Sequence, residues 1–192
     1  QLDPLHRLSD AAADPHGHIW IGTMSEAGEH DGRLYRISPD ARVTVMAEGL
    51  GISNGLGWSP DAATLYHVDS ATRTVYRCEL DEDRTINRRL LHVVPGPAQP
   101  DGLAVDDNGD LWLAVYGSGQ VVHLTADGRQ LGTVEVPTPL VTSCCFGGED
   151  GHDLFITTAR WSDSGGALYR WWAPVAGPAA TPIPLCRPAE SV

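Results

Sequence analysis

Long apolar runs and positive charge are both scarce in this sequence of 192 residues. A membrane-spanning helix needs an apolar run of about 18 residues or more, and no segment approaches that length. Lysine and arginine together number 13 against 25 aspartates and glutamates, which leaves a net charge of -12. Such a charge repels nucleic-acid phosphates and favours cations as small partners. The composition therefore argues against a membrane protein and against a nucleic-acid partner.

Helix signals and paired cysteine motifs are also nearly absent. The four cysteines are Cys78, Cys144, Cys145 and Cys186. They show no Cys-x-x-Cys spacing, and adjacent cysteines rarely bridge each other. We therefore expect reduced thiols and a cytoplasmic protein. With 21 glycines and 14 prolines, the chain has the turn-rich composition of an all-β fold.

The sequence does contain a repeat of about 45 residues, made of strand and turn signals. In each copy a polar residue opens a run of small or apolar residues, and a turn and an aromatic strand follow. The four runs are SDAA at residues 9–12, SNGL at 53–56, PDGL at 100–103 and TSCC at 142–145. The aromatic strands carry Trp20, Tyr66, Trp112 and Phe155. This repeat predicts the blades of a β-propeller, each with four antiparallel strands.

The polar residue of each run is a candidate for the functional site. The first strand of a propeller blade lies nearest the central axis, so this residue is expected at the mouth of the channel. Four such residues are expected to form part of one ring: Asp10, Asn54, Asp101 and Ser143. Hard divalent cations prefer oxygen ligands of this kind. Small residues that follow the ring, such as Gly55 and Gly102, suit the crowded axis.

Three other patterns resemble functional motifs. Residues 51–55 match the G-x-S-x-G pattern of serine hydrolases, which requires a following helix, whereas this sequence predicts a strand and a turn. His16 and His18 form a close pair, but they lie in a turn and zinc needs at least one more ligand. Residues 106–110 lack the glycine and glutamate positions of a calcium-binding helix-loop-helix and are interpreted as the turn of the repeat. The histidines of predicted strands are interpreted as packing or surface residues: His67, His92 and His123.

Six short segments carry a resemblance to a known family. They are RLSD at residues 7–10, DPHG at 14–17, GTM at 22–24, ISNGL at 52–56, PDG at 100–102 and TSCCFGG at 142–148. In this order and spacing, from residue 7 to about residue 172, the chain resembles the SMP-30/gluconolactonase/regucalcin family. The resemblance implies a six-bladed propeller with one divalent ion in its channel. Residues 1–192 are expected to form one propeller domain with about four of these blades, lacking about two N-terminal blades.

The resemblance also implies roles for individual residues. Asn54 and Asp101 would be metal ligands, and Asp101 would also be the catalytic general base. Arg7 would contact the substrate, and Ser9 stands where the family has an asparagine, which bears on substrate preference. A further family ligand, a glutamate of the first blade, would come from an upstream segment. The ion could be calcium, zinc, manganese or magnesium.

Two functions are compatible with these observations. The family resemblance implies metal-dependent hydrolysis of a sugar lactone, with Asp101 as the proton acceptor. The alternative is a non-catalytic propeller that binds or scaffolds, or a degenerate paralogue with an incomplete metal site, because propellers host many functions and Ser9 departs from the family pattern. A small sugar lactone is the expected partner. An apolar blade face left open by missing blades would also allow self-association.

Overall fold

The computed structural model of this chain describes residues 6–28, 30–81, 84–161 and 164–183. Regular secondary structure in these ranges consists of β-strands, which confirms the all-β class. No helix in the described part of the chain has the length and apolar character needed to cross a membrane. The three described cysteines, Cys78, Cys144 and Cys145, are free thiols, whereas Cys186 lies outside the described residues.

Three four-stranded antiparallel sheets follow one another along the chain, and each is one propeller blade. Blade 1 consists of β1 (His6–Ala13), β2 (Ile19–Ser25), β3 (Gly32–Ile37) and β4 (Val43–Leu50). Blade 2 consists of β5 (Ser53–Trp58), β6 (Thr64–Asp69), β7 (Thr74–Asp81) and β8 (Arg84–Val93). Blade 3 consists of β9 (Gln99–Val105), β10 (Leu111–Tyr116), β11 (Gln120–Leu124) and β12 (Gln130–Glu135). In each blade, strands that are adjacent in sequence are also adjacent in the sheet, as the repeat predicts.

Blade 4 differs from the expected four-stranded form. Its sheet has three strands among the described residues, β13 (Val141–Gly147), β14 (Asp153–Thr158) and β17 (Leu168–Trp172). A separate short hairpin of β15 (Arg160–Trp161) and β16 (Ser164–Gly165) precedes β17. After β17, residues 173–183 contain three prolines and form no strand. Proline has no N–H to donate to a sheet, and residues 173–183 do not supply the fourth strand that the repeat predicts for each blade.

The first strands of successive blades, β1, β5, β9 and β13, pack side by side. The hydrophobic cores lie between blades, and each cluster takes side chains from two neighbouring blades. Three of the four repeated aromatics fill these cores, because Trp20, Tyr66 and Trp112 are almost fully buried. Phe155 is half-buried instead. It lies on the face of blade 4 opposite Leu154, and no described blade packs against that face.

Buried aspartates fix the first turns of blades 1 and 3. Asp14 accepts hydrogen bonds from two backbone N–H groups of its turn and from Trp20 Nε1, each at 2.9 Å. Asp106 repeats this arrangement with its own turn and with Trp112 Nε1, each at 3.0 Å. One carboxylate therefore ties the turn to the core of the blade. This geometry confirms that residues 106–110 form the turn of the repeat.

Candidate functional site

A cavity of about 410 Å³ opens where the first strands of the four blades begin. The residues that the sequence singled out all line it: Arg7, Ser9, Asp10, Asn54, Asp101 and Ser143. They come from four different blades and are brought together because equivalent positions of the repeat converge on the axis. The cavity is therefore the candidate functional site.

Glycines allow the blades to approach closely beside this cavity. A Cβ atom added to Gly55 would lie 2.4 Å from the carbonyl oxygen of Asp101. A Cβ added to Gly102 would lie 2.1 Å from Ser143 Oγ. Both separations are too short for a real side chain, so glycine is required at each position. The glycines directly follow Asn54 and Asp101 in sequence, and they allow these polar side chains to converge.

Several residues that line the cavity were not predicted from the sequence, among them Ser70, Gln99 and Tyr116. Ser70 follows the end of β6, and Tyr116 ends β10, where it pairs with Gln99. In an antiparallel pair, the end of the second strand lies beside the start of the first. The repeat could therefore have identified these cavity residues, because they lie at the end of the second strand of a blade.

The amide of Asn54 is held by a chain of hydrogen bonds that crosses three blades. Ser9 Oγ donates to Asn54 Oδ1, and Asn54 Nδ2 donates to Ser70 Oγ at 2.8 Å. Ser70 Oγ in turn donates to the carbonyl oxygen of Pro100 at 2.6 Å. Because Ser70 uses its only hydrogen on that carbonyl, it must accept from Asn54. The amide therefore turns Nδ2 toward Ser70 and Oδ1 toward Ser9.

Two carboxyl groups line the same cavity, and the charge of Asp10 disfavours the ionisation of Asp101. Burial and the nearby charge of Asp10 together raise the pKa of Asp101 to about 7. Burial also raises the pKa of Asp10, although a hydrogen bond of 2.8 Å from the backbone N–H of Ala11 opposes that shift. Near neutral pH, Asp101 is poised between its protonated and ionised forms.

The donor set of the cavity fits a hard divalent cation. The amide oxygen of Asn54, the carboxylates of Asp10 and Asp101 and the hydroxyl of Ser143 all offer oxygen ligands. A cation among these groups would also relieve the repulsion between the two carboxylates.

Arg7 lies at the rim of the cavity and is more exposed than the other polar residues. Its side chain is 58% exposed, and its Nε lies 3.6 Å from Glu26 Oε1. An exposed ion pair of this kind contributes little to stability and separates easily. The guanidinium is thus available to a ligand that enters the cavity.

The serine of the G-x-S-x-G pattern is not accessible. Ser53 is fully buried, and its Oγ lies 2.9 Å from Nε2 of the buried His67. Burial lowers the pKa of His67 to about 3, so this imidazole is neutral near physiological pH. Asp69 accepts hydrogen bonds from the backbone N–H groups of Gly51 and Ile52. These residues hold blade 2 together, and no substrate can reach the hydroxyl.

The sequence of this chain is similar to those of known lactonases. Residues 1–160 match the family model described as the SMP-30/Gluconolactonase/LRE-like region. The pentonolactonase XacC of Haloferax volcanii is 39% identical over 169 residues, which cover 86% of this chain and 58% of the relative. The 6-deoxy-6-sulfogluconolactonase of Pseudomonas putida is 38% identical over 169 residues, with the same two coverages.

Solved structures show the same architecture. A calcium-binding regucalcin from Agrobacterium tumefaciens matches with a TM-score of 0.87 and 28% identity over 95% of this chain and 66% of that chain. The chain spans 58% of the length of the two lactonases it matches. The family model covers most of the chain, and the lactonases are more than a third identical to it. The chain therefore belongs to the SMP-30/gluconolactonase/LRE-like family of β-propellers.

Proposed function

We propose that the protein containing these residues is a sugar lactonase that uses a divalent ion at the mouth of the propeller channel. Asn54 and Asp101 would ligate the ion, and Asp101 would also be the general base. Arg7 and Ser9 would contact the substrate. The observation that carries the proposal is that Asn54 and Asp101, from neighbouring blades, share one cavity lined by oxygen-bearing side chains.

The residues around the site support this assignment. Ser9 and Ser70 hold the Asn54 amide from both ends, which fixes the direction of its oxygen before any ligand arrives. Asp10 adds negative charge beside Asp101 and so strengthens the attraction for a cation. Relatives named as a pentonolactonase and a sulfogluconolactonase point to a sugar lactone as the substrate class.

The reaction would require one proton to move twice. When bound, the ion would polarise the lactone carbonyl and make a water molecule more acidic. Asp101 would accept the proton of the attacking water and return it to the ring oxygen as the acyl C–O bond breaks. The product would be the open-chain hydroxy acid.

Arg7 and Ser9 would act on binding and orientation. The Arg7 guanidinium at the rim can donate hydrogen bonds to sugar hydroxyl groups. Ser9 directs its hydroxyl hydrogen to Asn54, so it would offer only lone pairs to a substrate. A side-chain amide at this position would offer two donors, which gives a physical reason for a difference in substrate preference from relatives that carry asparagine.

Lactone hydrolysis before and after chelation tests the proposal. The protein would be assayed with a panel of 1,4- and 1,5-sugar lactones, treated with a chelator, and then supplied with calcium, magnesium, manganese or zinc. We expect the chelator to abolish turnover and at least one ion to restore it. A non-catalytic binding propeller would hydrolyse no lactone with any of these ions.

A further inference from the structure

A second cluster of potential ligands lies at the opposite end of blade 3. β9 begins beside the channel mouth and ends at Val105, so the turn that carries Asp106 and Asp110 is remote from the mouth. His123 on β11 pairs with Trp112 on β10 and faces this turn. One ligand atom from each of Asp106, Asp110 and His123 lies within 4.8 Å of the other two.

The imidazole of His123 presents an unsatisfied nitrogen to the two carboxylates. Its Nε2 lies 3.8 Å from Asp106 Oδ2 and 3.8 Å from Asp110 Oδ2. These separations are too long for hydrogen bonds, and the buried nitrogen has no hydrogen-bond partner among the described residues. The ring is fixed by stacking on Trp112, with centroids 3.9 Å apart and planes at 15°. A buried polar atom left in this way is costly and calls for a partner.

In the equivalent turn of blade 1, the aspartate and a histidine are in direct contact. There Asp14 Oδ2 lies 2.8 Å from His18 Nδ1, in direct hydrogen-bond contact. The residue paired with Trp20 is Arg36, not a histidine. In blade 3 the position of His18 is taken by Asp110, and that of Arg36 by His123. The two changes replace a direct contact with a gap between two carboxylates and an imidazole.

We propose that Asp106, Asp110 and His123 bind a zinc ion that is separate from the ion of the channel mouth. Two carboxylate oxygens and one imidazole nitrogen form a donor set that zinc accepts, with water as a fourth ligand. Tetrahedral zinc with bonds of about 2.0–2.2 Å places its ligand atoms about 3.4 Å apart. The two separations of 3.8 Å from His123 Nε2 would shorten by about 0.4 Å to reach that geometry. The ligand oxygens of the two carboxylates lie within 4.8 Å of each other and would also move closer.

The surroundings of Asp106 support a ligand role. Its Oδ1 accepts hydrogen bonds from two backbone N–H groups, and its Oδ2 accepts one from Trp112 Nε1. Together these bonds hold the carboxylate in one orientation. Such outer contacts commonly orient ligating carboxylates. A zinc ion here would tie the β9–β10 turn to β11. The inference uses no residue of the proposed lactonase site.

Zinc binding by matched variants tests the inference. Zinc affinity would be measured by competition with a chromophoric chelator, and the ion would be located by anomalous diffraction at the zinc edge. His123→Phe keeps an aromatic ring over Trp112 but removes the ligand nitrogen, and Asp110→Asn removes a charge at constant size. Asp127→Asn is the control, because Asp127 is an exposed carboxylate in a turn of the same blade.

We expect an anomalous peak between Asp106, Asp110 and His123, and an affinity at least about tenfold lower in both site variants. Zinc should raise the melting temperature of the parent and of Asp127→Asn by more than that of His123→Phe, in which only the channel mouth can still bind the ion. A peak confined to the channel mouth, a water molecule in place of the ion, or unchanged affinity in His123→Phe and Asp110→Asn would overturn the inference.

Discussion

Ser70 fixes the orientation of Asn54. Asn54 Nδ2 donates to Ser70 Oγ at 2.8 Å, and Ser70 in turn donates to the carbonyl of Pro100 in the next blade. The side chain proposed as a metal ligand is therefore held by a residue that no sequence motif marks. It follows that the affinity of the site should depend on Ser70 as well as on the ligands themselves.

Ser70→Ala should weaken divalent-ion binding at the channel mouth by about tenfold or more, which is typical for the loss of a group that orients a ligand. Without the Ser70 hydroxyl, the Asn54 amide can rotate and present either its oxygen or its nitrogen to the ion. Calorimetric titration with calcium measures the effect. Ser38→Ala is the matched control, because Ser38 lies in the β3–β4 turn at the other end of blade 1 and also bonds a carbonyl, that of Arg42. Equal affinities in both variants would show that Ser70 does not position the ligand.

The carboxyl group of Asp101 should titrate near pH 7 in the absence of divalent ions, because burial and the charge of Asp10 both oppose its ionisation. Carbon-13 NMR of the side-chain carboxyl across a pH series measures this directly. Asp10→Asn should lower the pKa of Asp101, since it removes the neighbouring charge. Asp127→Asn should leave it unchanged. An Asp101 that titrates at its ordinary value in the parent would contradict this account of the cavity.

The same shift predicts how stability depends on pH. The folded state binds the Asp101 proton more tightly than the unfolded chain, in which the pKa of an aspartate is near 3.8. Ionisation of Asp101 therefore lowers the free energy of unfolding, and this loss grows as pH rises from about 4 and is complete above about pH 7. Asp101→Asn removes this loss. We expect the variant to gain free energy of unfolding relative to the parent between about pH 4 and pH 7, by less than about 4 kcal/mol because Asp101 is not wholly buried. Urea unfolding of both proteins in the presence of a chelator, at a series of pH values, measures the difference. A difference in the free energy of unfolding that does not change with pH would contradict the prediction.

Gly55→Ala should destabilise the propeller by about 1–3 kcal/mol, because the new Cβ would press on the backbone of the next blade. It would lie 2.4 Å from the Asp101 carbonyl oxygen and 2.8 Å from Val68 Cγ2. Gly132→Ala is a matched control in a strand, since a Cβ there meets nothing within 4 Å. Its effect should stay within about 0.5 kcal/mol. Urea unfolding of both variants decides whether the close approach at Gly55 exists in solution.

The repeat predicted much of the fold and the centre of the site. Asn54 and Asp101 could be found because each opens a run of small residues, and such runs converge on a propeller axis. The glycines that follow them, Gly55 and Gly102, independently indicated that neighbouring blades approach closely here, as the structure shows.

The rest depended on contacts that the repeat does not encode. The β15–β16 hairpin interrupts blade 4, and the described residues of the other three blades form no counterpart to it. Ser70 was missed for a different reason, because candidates were sought only where the first strand of each blade begins, and Ser70 follows the end of the second strand. His123 was interpreted as a packing or surface residue, and it stacks on Trp112. Its approach to Asp110 follows from the register of β10 against β11, which the sequence did not specify.

Asp101→Asn gives the most direct test of the proposed function, because an amide can still ligate an ion but cannot accept a proton. Lactone hydrolysis would be followed by pH-stat at saturating divalent ion in the parent, in Asp101→Asn and in the control Asp127→Asn, with ion affinity measured on the same samples. We predict that Asp101→Asn keeps part of its ion binding and loses turnover by about 100-fold or more, whereas Asp127→Asn behaves as the parent. Full turnover in Asp101→Asn, or turnover in the parent that a chelator leaves unchanged, would contradict the account.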